Sequence, residues 1–305
     1  MRLGRMDCFA ITDRGQLRSK NEDQYLVADL VKAARIQSTT PGHEDATKLN
    51  GNPQGKLMLV ADGMGGHDDG ERASQLATDH TVSQMMNQQQ WSALRESSTA
   101  WDESILEGMQ SVVQECHDAI RRESTSLQQN RQMGTTLTAA IVNWPTLYLA
   151  HVGDSRCYLI RDGLAEQITT DHTWAQAMSE WRDPGSEDCH QPRLSSCLWN
   201  VLGGASASVH VDTHKIDLCP GDSIVLCTDG LTDHMTDQDI GEIMRSSRTA
   251  KQACEDFVDE ANRAGGSDNI TVVVARFHSM ESAMRIASSK FESAFELDQE
   301  HALVC

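Results

Sequence analysis

Acidic side chains in this 305-residue chain recur at the ends of short apolar runs. Asp62 and Asp229, each followed by glycine, end the runs LMLVA and SIVLCT, Asp268 precedes ITVVV, and Glu22–Asp23 precede QYLV. A single Asp-Gly pair would indicate only a turn. Carboxylates gathered at one edge of a sheet, however, repel one another unless a cation lies between them. Because hard divalent ions prefer oxygen ligands, the pattern predicts a metal site suited to phosphate-ester hydrolysis.

The charge balance favours a soluble protein with an acidic surface. The sequence has 45 acidic residues against 26 lysines and arginines, a formal net charge of -19, which disfavours nucleic acid and anionic membranes as partners. No apolar stretch approaches the roughly 20 residues of a membrane span. The nine cysteines are scattered without a C-x-x-C pair, which fits a reducing compartment. We therefore expect a cytoplasmic monomer.

The order of elements predicts an α+β fold. Strand-like runs come first, then two amphipathic helices, a block of strands, two more helices and a last strand. Residues 134–163 suggest a three-stranded meander, Cys219–Pro220–Gly221 suggests a hairpin turn, and the polar segment 37–55 suggests a surface loop. We predict a four-layer α-β-β-α sandwich, with two antiparallel sheets flanked by helix pairs.

Residues 5–277 resemble the PPM family of metal-dependent serine/threonine protein phosphatases, the protein phosphatase 2C-like enzymes of bacterial type. The motifs that carry the resemblance are RSKNED (18–23), DGMGGH (62–67), GTT (134–136), HVGDSR (151–156), DH (171–172), LGG (202–204), TDGLTD (228–233) and SDNITVVV (267–274). The resemblance implies a catalytic domain over 1–277 with a flap at about 171–204. The tail, 278–305, has an amphipathic stretch that predicts a short helix.

The resemblance also implies roles for the acidic residues. Asp62 would bridge two Mn²⁺ or Mg²⁺ ions, the Gly63 carbonyl would bind one ion, and Asp229 and Asp268 would bind the other. Glu22 and Asp23 would hold metal-bound waters.

Arg18 would bind the substrate phosphate through its planar fork of donors. The implied reaction is hydrolysis of phosphoserine and phosphothreonine in proteins by in-line attack of a water activated between the ions. A dedicated substrate, such as a partner serine/threonine kinase, is compatible with this.

Met64 departs from the pattern of those family members that have a histidine there to protonate the leaving group. Methionine cannot donate a proton, and a metal-bound water is the better candidate than His67. Asp154 and Asp233 have two open interpretations. They hold a third ion, as in bacterial-type members, or they cap a hairpin turn and the following helix.

Three alternatives remain to be tested. Cys116 and Arg122 have the C-x₅-R spacing of cysteine phosphatases, but they lie in a predicted helix without free N–H groups for phosphate. A catalytically weak or inactive binding protein of the same fold is the alternative function, although the implied metal ligands are present. Trp174, Trp181 and Trp199 either face substrate or pack the flap on the body.

Overall fold

The structure, a computed structural model, describes residues 5–35, 48–65, 68–87, 99–126, 133–180, 194 and 196–278. The strands are β1 (Arg5–Asp13), β2 (Gln24–Arg35), β3 (Lys48–Ala61), β4 (Gly63–Met64), β5 (Gly134–Thr135), β6 (Leu137–Asn143), β7 (Thr146–Val152), β8 (Arg156–Arg161), β9 (Leu164–Gln167), β10 (Leu202–Gly203), β11 (Asp212–Asp217), β12 (Ser223–Cys227) and β13 (Ile270–His278). The helices are α1 (Asp68–Asn87), α2 (Thr99–Ser126), α3 (Trp174–Glu180), α4 (Asp229–Thr232), α5 (Asp237–Ser246) and α6 (Ala250–Arg263).

Two five-stranded antiparallel sheets form the centre of the molecule. The first sheet has the order β1-β13-β12-β8-β9 and the second has the order β11-β7-β6-β3-β2. A small third sheet, β10-β5-β4, begins directly after Asp62, which follows the end of β3 at Ala61. The predicted α+β class and its antiparallel sheets are confirmed.

Side-chain alternation divides the buried residues into three cores. Along β3, Leu57 and Leu59 pack with α1 and α2, whereas Met58 and Val60 point to the other sheet. Along β13, the residues with even numbers, Val272 and Val274, pack with α5 and α6. Because central strands bury both faces, they are near-continuous apolar runs rather than alternating ones. The four layers follow from this arrangement.

The chain crosses between the sheets where the sequence predicted hairpins. β7 lies in the second sheet and β8 in the first, so the predicted meander over 134–163 is wrong beyond Gly153. β11 and β12 also lie in different sheets, so the predicted hairpin at Cys219–Pro220–Gly221 is wrong.

The predicted surface loop is wrong for residues 48–55, which begin β3. Among the described strands, this part of β3 pairs with β2 alone, because pairing with β6 starts at Lys56. Pro53, which has no N–H to donate, is tolerated where a strand has a free side. Trp181, His67 and the predicted tail helix lie outside the described residues, so the domain division stays a prediction.

No helix in the described ranges is long and apolar enough to cross a membrane.

Candidate active site

Strand register brings the predicted acidic residues to one edge of the sandwich. Gln24 at the start of β2 pairs with Ala61 at the end of β3, so the Glu22–Asp23 pair and Asp62 come together. Cys227 at the end of β12 pairs with Val272 near the start of β13, so Asp229 and Asp268 also share this edge. Antiparallel pairing therefore explains why acids before some strands meet acids after others.

The acidic edge opens into a cleft of about 520 Å³. Its lining includes Arg18, Glu22, Asp62, Gly63, Met64, Asp154, Asp229 and Asp268, together with Ser196 and Leu198 from the predicted flap. Asp23 lies deeper and Asp233 lies beside the cleft, where its charge acts on Asp154 and Asp229. The cleft thus gathers the predicted residues from five separate chain segments.

The backbone of Asp62 is held in place by hydrogen bonds with Thr135 and Thr136. Its N–H donates to Thr136 Oγ1 at 2.9 Å, and its carbonyl accepts from the Thr136 N–H at 2.9 Å and from Thr135 Oγ1 at 2.8 Å. Burial, followed by the charges of Asp229, Asp23 and Asp154, raises the pKa of Asp62 well above its usual value. The side chain is therefore fixed in a position where an ionised carboxylate needs a cation.

Two buried carboxylate oxygens near Asp62 are unpaired within the described part of the chain, Asp23 Oδ1 and Asp229 Oδ1. Asp23 uses its other oxygen to accept from Thr228 at 2.8 Å and Thr271 at 2.6 Å. Burial raises the pKa of Asp23 to about 7 and that of Asp229 to about 6. An unpaired buried oxygen costs free energy, so each points to a ligand or a water.

Gly63 occupies a place that no side chain could fill. A Cβ there would lie 2.1 Å from the Gly70 carbonyl oxygen and 2.7 Å from the Glu22 carbonyl oxygen. Gly70 is equally confined, since its Cβ would lie 2.5 Å from Glu22 Oε2. The two glycines let β4, the start of α1 and the Glu22 segment approach closely, which brings backbone carbonyls to the cleft.

Arg18 lies on a loop that Asn269 holds in place. Asn269 donates from Nδ2 to the carbonyls of Arg14 at 2.9 Å and Lys20 at 2.8 Å, and its Oδ1 accepts from the Glu22 N–H at 2.8 Å. Arg18 Nη2 lies 2.5 Å from Asp268 Oδ2, and its side chain is 54% exposed. The sequence prediction missed Asn269, although its place beside Asp268 and before β13 was the available signal.

Of the two interpretations of Asp154 and Asp233, the structure contradicts the capping roles. Thr236 is the N-cap of α5, in a capping box with Asp239, so Asp233 does not cap that helix. The strands on either side of Gly153–Asp154 lie in different sheets and form no hairpin. Burial, followed by Asp229 and Asp171, raises the pKa of Asp154 to about 8. The acid lies among other acids instead of capping a turn.

The donor set fits divalent metal ions. It consists of carboxylates and backbone carbonyls, the ligands of Mn²⁺ and Mg²⁺, and it includes unpaired buried oxygens. Among the described residues, no three acidic, histidine or cysteine side chains already converge on one point that could hold an ion. The acids instead face one another in repulsive pairs, which a divalent cation would relieve.

The competing candidates do not reach the cleft. Cys116 is buried inside α2, its Sγ lies 3.8 Å from the Ala77 carbonyl oxygen, and burial raises its pKa to about 12. It is therefore not a thiolate nucleophile. Trp174 and Trp199 are exposed but do not line the cleft. Met64, next to Gly63, does line the cleft.

Comparison with known proteins identifies the class. Residues 33–274 match the protein phosphatase 2C family. The chain is 32% identical over 270 residues to the serine/threonine phosphatase stp of Listeria innocua, covering 88% of this chain and 95% of that one. The chain belongs to the protein phosphatase 2C family, and it is a bacterial-type serine/threonine phosphoprotein phosphatase.

Solved structures share the fold. The catalytic domain of the serine/threonine phosphatase PstP, in complex with two manganese ions, is 30% identical with a TM-score of 0.64, covering 90% of this chain and 99% of that one. The PPM phosphatase MsPP from Mycobacterium smegmatis, in complex with cacodylate, is 26% identical with a TM-score of 0.64, covering 88% of this chain and 97% of that one.

Proposed function

We propose that the cleft hydrolyses phosphoserine and phosphothreonine in proteins with two Mn²⁺ or Mg²⁺ ions. Asp62 would bridge the ions, the Gly63 carbonyl would bind one, and Asp229 and Asp268 would bind the other. The observation that carries this is the set of buried, mutually repelling carboxylates at one sheet edge. When bound, the ions supply a water acidic enough to attack phosphorus at neutral pH.

Glu22 and Asp23 would orient waters around the ions. Asp23 suits this role because Thr228 and Thr271 fix one of its oxygens and leave Oδ1 unpaired. Glu22 suits it because Ser74 and Asn269 fix its backbone, with hydrogen bonds of 2.5 Å and 2.8 Å. Rigid outer partners of this kind align the groups that contact the ions.

Arg18 would bind the phosphate group. Its guanidinium lies in the cleft and is exposed on one side, so it can exchange the Asp268 oxygen for phosphate oxygens without refolding the loop. A planar fork of donors matches two phosphate oxygens and stabilises the charge that they carry in the transition state. Met64 offers no proton, so the leaving group would take its proton from solvent in the cleft.

Asp154 and Asp233 would hold a third and weaker ion beside the first two. Their charges act on each other and on Asp229, and Asp154 is buried without a cation as partner in the described residues. The substrates would be phosphorylated proteins, with a partner serine/threonine kinase as one candidate. Two relatives, from Listeria innocua and Mycobacterium tuberculosis, are named serine/threonine phosphatases.

The test measures phosphate release from p-nitrophenyl phosphate and from a phosphothreonine peptide. We expect activity with Mn²⁺, loss with EDTA and recovery when Mn²⁺ is restored. Activity that survives thorough chelation would contradict the two-ion site. Metal binding without turnover of either substrate would favour the alternative of an inactive binding protein.

A further inference from the structure

A second cavity of about 270 Å³ lies next to the catalytic cleft. Asp171, His172, Gln176, Trp199, His210 and Asp212 contribute to its lining. Two chain segments connect the cavities. Leu198 lines the cleft and Trp199 lines the second cavity, and the Gly153 N–H, next to Asp154, donates to His172 Nδ1 at 3.1 Å. Two chain segments therefore place residues of the second cavity next to residues of the catalytic cleft.

The walls of this cavity are fixed by a hydrogen-bond network centred on buried Asn200. Asn200 Oδ1 accepts from the His210 N–H at 3.1 Å, and Nδ2 donates to the His210 carbonyl at 2.8 Å. These backbone partners fix the amide orientation, so Nδ2 also donates to His172 Nδ1 at 2.7 Å. His172 therefore carries its proton on Nε2 and donates to Asp212 Oδ2 at 3.0 Å. Because these hydrogen bonds hold the cavity wall in place before any ligand binds, the cavity is preorganised for binding.

Asp212 supplies a negative charge to the cavity. Its side chain is partly exposed, and within the described residues it lies 3.0 Å from His172 Nε2 and 2.9 Å from His210 Nε2, with no lysine or arginine partner. The hydrogen bond from His172 lowers the pKa of Asp212 to about 2, so it stays a carboxylate. The other acid, Asp171, is neutralised by the fork of Arg156, with contacts of 2.9 and 2.6 Å.

Trp199 provides an aromatic surface next to His172 and His210 in the cavity lining. Its side chain is 40% exposed, and its ring centroid lies 5.0 Å from that of His172 and 6.2 Å from that of His210. An exposed tryptophan beside a carboxylate is a favourable environment for a cation, which the ring attracts through its quadrupole. The formal net charge of -19 further attracts basic peptides.

We propose that the second cavity binds an arginine or lysine side chain of the phosphoprotein substrate, close in sequence to the phosphorylated residue. This inference rests on the proposed phosphatase function. Asp212 pairs with the cation, and Trp199 packs against its stem and charged group. Arginine is the better ligand, because its flat guanidinium stacks on aromatic rings. The enzyme thereby prefers phosphosites that have a basic neighbour.

The test compares phosphothreonine peptides that differ at one position. A single arginine, lysine, alanine or glutamate is moved through each position on both sides of the phosphothreonine, and kcat/KM is measured with Mn²⁺. At one or two positions, we expect arginine to exceed alanine by about five- to tenfold, the size that a partly exposed cation–π contact and ion pair provide. Glutamate should be the poorest, and added salt should reduce the preference.

Two variants and two matched controls connect the preference to the cavity. Asp212→Asn and Trp199→Ala should each bring the arginine-to-alanine ratio of kcat/KM close to one. Asp217→Asn removes an exposed acid from the same strand, and Trp174→Ala removes an exposed tryptophan outside the cavity, so both should keep the ratio. The ratio is taken within each variant, so a general change in catalytic rate cancels.

The outcomes distinguish the two proposals. Equal turnover of arginine, alanine and glutamate peptides by the parent overturns the basic-residue site, while the phosphatase function stands. A preference that survives in both cavity variants also overturns it. If p-nitrophenyl phosphate and all peptides are left intact with Mn²⁺, the proposed function falls, and the site that rests on it falls too.

Discussion

The two acid-lined cavities hold their carboxylates in opposite ways. In the catalytic cleft the acids face one another, and burial with this repulsion raises the pKa of Asp23 to about 7 and that of Asp154 to about 8. In the second cavity donors face the acids, and His172 lowers the pKa of Asp212 to about 2. The carboxylates of the cleft need divalent cations to relieve their mutual repulsion. The carboxylates of the second cavity already have hydrogen-bond donors, so they attract a singly charged side chain only weakly.

The difference arises from which elements converge. Four strand ends bring acids to the cleft, and Arg18, a cation in the cleft lining, is exposed and pairs with one of them. In the second cavity, each acid comes with its own partner, Arg156 for Asp171 and His172 for Asp212. Composition alone does not distinguish the two cavities, because both contain aspartates. The neighbours of each carboxylate decide its chemistry.

The largest effect should come from the cleft acids. We expect Asp62→Asn and Asp268→Asn each to reduce turnover by at least about 10³-fold, because each removes a ligand that no neighbour replaces. The chelated Asp62→Asn protein should melt at the parent's temperature or above, since a repulsive charge is gone. Activity assays and thermal melting in EDTA check both parts. A large fall in the melting temperature would show that Asp62 stabilises the metal-free fold.

The pH dependence of stability should also separate the cavities. The folded-state pKa values of Asp23, Asp154 and Asp229 lie above their ordinary values, so the folded protein binds protons more tightly than the unfolded chain. In EDTA, their contribution is therefore fully present below about pH 4 and is lost as the pH rises to about 8.

Urea unfolding in EDTA between about pH 4 and about pH 8 measures this contribution. The parent should lose more stability over this range than Asp154→Asn, which lacks one raised pKa, and Mn²⁺ should restore the parent at the high end. Parallel curves for the parent and Asp154→Asn would contradict the raised pKa of Asp154.

The sequence predicted the cleft better than the path of the chain. The acids before β2 and β13 meet the acids after β3 and β12 because these neighbouring strands run antiparallel. The family motifs had already grouped Asp62, Asp229 and Asp268. The partners of β7 and β8 could not be predicted, because strands buried on both faces have no alternation that assigns a sheet. The second cavity joins His172 and His210 through Asn200, whose role depends on backbone that only the fold supplies.

A smaller effect should follow from Asp154→Ala and Asp233→Ala. If a third ion lies between them, each variant should raise the Mn²⁺ concentration for half-maximal activity severalfold, or lower turnover at saturating Mn²⁺, while the first two ions stay bound. Metal titration of activity, with calorimetry for the tight sites, measures this. Asp237→Ala is a control, because this acid lies on α5 outside the cleft lining. Titration curves that overlay the parent's would contradict the third ion.

The smallest effect should come from Asp212→Asn, and its sign should be opposite to that of Asp62→Asn. Asp212 accepts a hydrogen bond from His172 and lies 2.9 Å from His210 Nε2, so loss of its charge should lower the free energy of unfolding by about 1 kcal/mol at neutral pH. Because its folded pKa is lowered to about 2, this stabilisation is present above about pH 4 and is lost as the pH falls through about 2. Urea unfolding in EDTA should therefore show parent and variant converging toward low pH, with Asp217→Asn following the parent throughout. If Asp212→Asn is as stable as the parent at neutral pH, the charge of Asp212 does not stabilise the fold through its histidine neighbours. Asp212 would then resemble the cleft acids, whose charges destabilise the metal-free fold.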